Sequence, residues 1–256
     1  MDAARIGHTS AVRELRLASI ADEHETRRAM NQPLASQVER EVRIPTGDEA
    51  VVGDLVVPAG AKALAVFAHG SGSSRHSPRN VWVAEQLHRH AIATLLFDLL
   101  TPGEDRRDAV TAEHRFDIAL LGRRLVQAID WCATQSEFAA MPLGLFGAST
   151  GSAGALVAAA QRADRVRAVV SRGGRPDLAG ADVLARVRAA TLLIVGGRDD
   201  VVLDLNRRAL ALIACEKRLE IVPGATHLFE EPGTLERVAA LAAGWFVEFL
   251  VVETAN

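Results

Sequence analysis

From Val38 onward, short apolar runs alternate with polar punctuation. Val42 and Ile44, then Val51 to Val57, then Leu64 to Phe67 are separated by Thr46-Gly47-Asp48 and Pro58-Ala59-Gly60, which predicts three successive strands. Beyond them, Ile92 to Phe97, Leu143 to Phe146, Val166 to Val170, Leu192 to Val195 and Leu219 to Val222 alternate with helix-length segments. Alternation of this kind implies a mostly parallel sheet. The runs are almost continuously apolar, so both faces of the sheet are expected to lie under helices, giving a three-layer α/β sandwich.

The intervening segments have the matching period. Ile118, Leu121, Leu125 and Ile129 recur at helical spacing, an apolar stripe for the sheet, with Arg123, Arg124 and Asp130 expected to lie away from it. Ser77 before Pro78 reads as a cap and first-turn pair for a helix from residue 78 to about 90. Val238 to Val252, interrupted by Glu248, is shorter than the roughly 20 residues of a membrane span and reads as a buried C-terminal helix. Leu99 to Arg107 and Arg172 to Asp177 read as loops at the carboxyl ends of strands, where ligands bind in such sheets. Residues 1–37 lack the alternation. They are expected to form an N-terminal extension, helical or partly disordered and a candidate partner-binding arm, ahead of one domain over 38–256.

Composition narrows the function classes. A hydrophobic share of 49% suffices for a continuous core, and a net charge of -3 with scattered Lys and Arg argues against a nucleic-acid footprint. Cys132 and Cys215 have neither disulfide-framework nor C-x-x-C metal spacing. Met1 to Met30 carries charges throughout, which excludes a secretory signal and makes a cytoplasmic location the expectation.

The most specific chemical signal is Gly147-Ala148-Ser149-Thr150-Gly151, between an apolar run and the small-residue segment Ala153 to Ala160. A nucleophilic serine of the G-x-S-x-G type sits on a strained strand-to-helix turn, and flanking glycines remove Cβ atoms that would collide there. Such a serine needs a base, and the base needs an orienting acid. Gly196-Gly197-Arg198-Asp199-Asp200 and Pro223-Gly224-Ala225-Thr226-His227 each follow a strand, in the chain order Ser, Asp, His. Asp199 is preferred as the acid because the turn can bring it back toward the strand end. Asp200 is the alternative, otherwise expected to cap the next helix, and Asp177 is a more distant one. His88 and His90 are two apart on a helix, poorly placed to share a metal, and no H-E-x-x-H occurs.

His69-Gly70-Ser71-Gly72-Ser73-Ser74 is rich in backbone donors but lacks the third glycine of a dinucleotide fingerprint and the G-K-[ST] of a P-loop. It is expected to supply an oxyanion hole from the amides of Ser71 and Thr150. Arg172 and Arg175 are candidates to pair with a substrate carboxylate, with solvated surface arginines as the competing reading.

At these residues the sequence resembles the dienelactone hydrolase-like branch of the α/β-hydrolases. The resemblance runs from about Val38 to the C-terminus and rests on Phe67 to Gly72, Phe97 to Pro102, the Gly147 to Gly151 elbow, Ser171 to Asp177, and Thr226 to Phe229. It implies an eight-stranded, mostly parallel sheet and hydrolysis of small-molecule esters or lactones without metal or organic cofactor. The family's hydrolases proper carry a cysteine nucleophile, and Ser149 here points away from dienelactone itself as substrate. An acyltransferase on the same residues and a non-catalytic binding module stay open, as does a homodimer.

Overall fold

In the computed structural model, residues 37–251 are described, all within the second of the two units into which the chain divides, Met1–Ala35 and Ser36–Asn256. The expectation of an N-terminal extension therefore falls, Gln37 apart, outside the described residues.

The apolar runs form eight strands: β1 Gln37–Pro45, β2 Ala50–Pro58, β3 Ala63–Ala68, β4 Ile92–Phe97, β5 Leu143–Ala148, β6 Val166–Arg172, β7 Ala190–Gly196 and β8 Lys217–Val222. They make one sheet in the order β1-β2-β4-β3-β5-β6-β7-β8. Strand β2 runs antiparallel to both β1 and β4, and the pairs from β4 through β8 are parallel. Every residue of β3, β4, β5 and β7 is buried, which explains why these segments lack a polar alternation.

Seven α-helices are described: α1 Pro78–His88, α2 Pro102–Thr111, α3 Ile118–Thr134, α4 Thr150–Gln161, α5 Ala181–Arg186, α6 Asp200–Leu212 and α7 Thr234–Leu250. Helices α3 to α6 pack on one face of the sheet, where Leu121, Leu125, Leu156, Leu184 and Ala209 share a core with Leu64, Val66, Leu145 and Val169. Helices α1 and α7 cover the other face, where Val83, Leu87, Val238 and Phe246 meet Phe67, Phe146 and Val170. The Phe67 and Phe146 rings stack at 4.7 Å on that side. Each fully buried side chain of this size stabilises the fold by roughly 1.5–3 kcal/mol, so each helical layer is held to its face of the sheet by a core of its own.

Local expectations differ in four places. Ser77 takes the cap position of α1, but its side chain makes no capping bond, so Pro78 alone marks the start chemically. Arg124 does not lie away from the core: it is 7% exposed and reaches Glu104 at 2.6 Å. The segment after β4 is not a loop throughout, because Thr101 and Glu104 form a reciprocal capping box that starts α2. Finally, Asp199 and not Asp200 occupies the cap position of α6, and it makes no capping bond. Its carboxylate is turned elsewhere.

Candidate active site

The elbow begins with two close approaches. A Cβ on Gly147 would lie 2.4 Å from the Ser152 Cα, and one on Gly151 would lie 2.4 Å from the His69 carbonyl oxygen. Only glycine lets β5 turn into α4 at this distance. Between them Ser149 has φ 49 and ψ -122, a conformation that a side-chain-bearing residue holds only when its surroundings over-determine it. The surroundings do so through hydrogen bonds. The Ser149 N–H donates to the Arg172 carbonyl at 3.1 Å. Its carbonyl accepts from Ser152 N–H at 3.1 Å, Ser152 Oγ at 2.8 Å and Arg175 N–H at 3.2 Å. Ser152 is fully buried, and its Oγ also accepts from Arg175 N–H at 3.0 Å.

The acid and the imidazole meet across two loops. Gly197 N–H donates to Val222 O at 2.8 Å and Arg198 N–H to Ala225 O at 2.9 Å, tying the β7 loop to the β8 loop. A Cβ on Gly196 would stand 2.5 Å from the Ala225 carbonyl, so this junction too needs glycine. Thus clamped, His227 Nδ1 lies 2.7 Å from Asp199 Oδ2. A carboxylate there makes Nδ1 the protonated nitrogen and leaves Nε2 as the acceptor. Asp200 is exposed in the first turn of α6, and Asp177 is engaged by Arg175.

The link from imidazole to serine is indirect in this structure. Gly173, which follows Arg172, is within van der Waals range of His227: its Cβ position is 3.6 Å from Cε1. The loop that binds the Ser149 backbone therefore also borders the imidazole. Among the described residues the Ser149 hydroxyl makes no hydrogen bond, and catalytic contacts of this kind commonly tighten only with substrate bound.

The glycine-rich loop after β3 faces Thr150. The Ser71 N–H donates to Thr150 Oγ1 at 2.9 Å, so one of the two expected oxyanion donors already has a partner in the resting structure. Both residues line a cavity of about 770 Å³, together with Leu99, Asp105, Asp108 and Arg115. His69, buried at the base of the loop, has Nδ1 2.9 Å from Gly70 O and accepts from Leu99 N–H through Nε2 at 3.1 Å. Acceptance at Nε2 requires the neutral ring, and burial lowers its pKa in agreement. His69 is a brace between the β3 and β4 loops, a role that its sequence position did not reveal.

The two candidate arginines part company. Arg175 is bidentate on Asp177, at 2.8 and 2.7 Å. Arg172 is 8% exposed, and its Nε and Nη1 have no partner among the described residues. Burial, with a further contribution from nearby Arg79, lowers its pKa to about 10. A guanidinium left unpaired beside the nucleophile loop is costly for the fold. Two supporting residues escaped the sequence reading. Ser152 is one, and Asn206, which donates to Gly174 O at 2.9 Å from inside α6, is the other. A small residue in an alanine-rich helix and one polar residue among the several of α6 carry no pattern that would mark them.

A crystal structure of a dienelactone hydrolase from Anabaena variabilis superposes with a TM-score of 0.82 at 52% identity, covering 84% of this chain and 99% of that one. The chain belongs to the dienelactone hydrolase family of α/β-hydrolases. Est1E from Butyrivibrio proteoclasticus shares this α/β-hydrolase fold at 15% identity, with a TM-score of 0.69 and coverage of 81% of this chain and 98% of that one. A protein of Mycobacterium tuberculosis, provisionally named a phosphoribosyl transferase, is 59% identical over 222 residues, 87% of this chain but 48% of its own length. This dienelactone hydrolase relative thus spans about half the length of the curated proteins that it matches. No family model matches the chain.

Proposed function

We propose that the protein is a serine hydrolase that cleaves small-molecule carboxylic esters or lactones through an acyl-enzyme on Ser149. The observation that carries this reading is the 2.7 Å pairing of Asp199 with His227 Nδ1 beside a serine held at φ 49 between two obligatory glycines. His227 Nε2 takes the proton from Ser149 Oγ as the oxygen attacks the carbonyl carbon. The tetrahedral intermediate collapses, and the imidazolium returns the proton to the departing alcohol. Water then repeats the sequence on the acyl-enzyme. Asp199 keeps the imidazole in the useful tautomer and stabilises the imidazolium without itself being protonated. The backbone N–H of Thr150, which has no partner within its helix, is the donor for the developing oxyanion.

On the substrate side, Arg172 is the stronger candidate for a carboxylate partner, since Arg175 would first have to give up Asp177. The transferase name of the mycobacterial relative attaches to a protein more than half of which this chain does not match. Hydrolysis is preferred because the motifs within this chain are those of the elbow and its partners. The proposed location is the cytoplasm, in keeping with two free thiols. No helix among the described residues is long and apolar enough to cross a membrane.

Labelling with a fluorophosphonate probe tests the proposal. Wild type should label at Ser149 and hydrolyse p-nitrophenyl acetate, and Ser149→Ala should lose both, with turnover down at least about a thousandfold. Unlabelled wild type, or a variant as fast as wild type, would reject the reading.

A further inference from the structure

The backbone account of the oxyanion hole leaves out a side chain that stands in the middle of it. Thr150, 5% exposed, follows the nucleophile directly and opens α4, so its backbone N–H has no partner within the helix. Its Oγ1 accepts the only N–H proton of Ser71 at 2.9 Å. A hydroxyl offers one proton and two lone pairs, and Ser71 engages one of the lone pairs. No protein acceptor among the described residues takes the Thr150 proton. Thr150, which directly follows Ser149, lines the cavity together with Ser71, so that proton is open to a group that enters beside the residue after the serine. Accepting an N–H also polarises the O–H bond, which makes it a stronger donor.

We infer that the Thr150 hydroxyl is itself an oxyanion donor, with the Ser71 amide behind it as a positioning group. The inference rests on the acyl-enzyme reading above and assigns one further catalytic group within it. When Ser149 Oγ bonds to the carbonyl carbon, the carbonyl π pair moves onto oxygen. That oxygen then accepts hydrogen bonds from the Thr150 N–H and the Thr150 O–H. The Thr150 proton stays on its oxygen throughout. On collapse the electron pair returns to re-form the carbonyl, and the bond to the alcohol breaks.

The test compares Thr150→Val, which keeps the branched shape and removes the donor, with Thr150→Ser, which keeps the hydroxyl. Turnover and KM on p-nitrophenyl acetate and the thermal midpoint are measured for each. The valine variant should lose about a hundredfold in kcat with KM little changed, as expected for an interaction made only in the transition state. The serine variant should stay within about tenfold of wild type. Thr150→Ala, which relieves any crowding, should fall as valine does and carries the test if valine does not fold. Retention of kcat by the valine or alanine variant would overturn the inference, since the released Ser71 amide would then be a sufficient donor. A serine variant as slow as valine would overturn it too. Failure of the underlying hydrolase reading looks different: wild type itself would not label with the fluorophosphonate and would be no faster than Ser149→Ala.

Discussion

Replacing Asp199 with asparagine removes one charge and leaves the outline of the side chain in place, which makes it the most direct probe of the acid–imidazole pair. The contact is 2.7 Å, with the Asp199 side chain 15% exposed and the His227 side chain 39% exposed, so solvent screens the imidazole end. Loss of the charge removes the stabilisation of the imidazolium that forms as Ser149 gives up its proton. In a serine–imidazole–carboxylate arrangement this substitution costs on the order of 10⁴ in kcat, about 5.5 kcal/mol, and Asp199→Asn should lose a similar amount. The amide adds a second route to the same loss, because its NH₂ can pair with Nδ1 and drive the proton onto Nε2, where it blocks proton uptake from Ser149. The assay is initial-rate hydrolysis of p-nitrophenyl acetate by Asp199→Asn and by Asp200→Asn, with circular dichroism to verify that both fold. Exposed Asp200 should be replaceable with less than about twofold effect, as is usual for surface changes. If Asp199→Asn kept a tenth of the wild-type rate, or if Asp200→Asn were the slower of the two, the reasoning from geometry to role would be wrong.

Three other outcomes follow from the described contacts. Gly151→Ala should destabilise by at least about 1–3 kcal/mol and abolish turnover, because the new Cβ meets the carbonyl oxygens of His69 and Ala68 at 2.4 and 2.5 Å; urea denaturation reads the stability change. Arg172→Met should raise the thermal midpoint, since a buried guanidinium lacking partners at Nε and Nη1 is replaced by an apolar chain. It should also slow a carboxylate-bearing ester relative to its neutral analogue, and an unchanged ratio would dismiss Arg172 as a substrate contact. His88, buried and bonded to Thr94 at 2.8 Å, has its pKa pulled by burial from 6.5 to about 4. The folded chain then binds fewer protons than the unfolded chain between those values, so this contribution is present above about pH 6.5 and is lost as pH falls toward 4. Melting curves across that window should be flatter for His88→Gln, and a parallel decline in both proteins would refute the assignment.

Much of the fold was readable because the strands of a sheet covered on both faces announce themselves as uninterrupted apolar runs, as Leu143 to Phe146 does. The elbow was readable for a related reason: a serine at positive φ demands small neighbours, and Gly147 and Gly151 stand where backbone meets backbone. Helix α2 escaped notice because Asp108 is its only fully buried residue, so Pro102 to Thr111 presents no apolar stripe. The start signal, Thr101-Pro102 with Glu104, was nevertheless in plain view. The preference for Asp199 over Asp200 rests on the turn after β7, and the structure has Asp199 paired with His227 while Asp200, one residue along the start of α6, is exposed. Arg124 misled for the opposite reason: a charged residue on the flank of an apolar stripe can be buried when a carboxylate such as Glu104 waits for it. The convergence of Ser152, Asn206 and the Gly174 carbonyl behind Ser149 arises from long-range packing, which no local spacing encodes.

The neutral imidazole of His69 couples what two neighbouring strand ends can do. Since it is bonded at once to Gly70 and to Leu99, the ends of β3 and β4 that border the cavity are tied to each other. Adaptation to a bulkier guest must therefore come from the opposite wall, built by Pro102–Thr111 and fastened by the Glu104–Arg124 and Asp108–Arg115 bridges. Selectivity among guests should accordingly respond to substitutions in those bridges, which are largely buried and so little screened by salt, more than to changes beneath the serine.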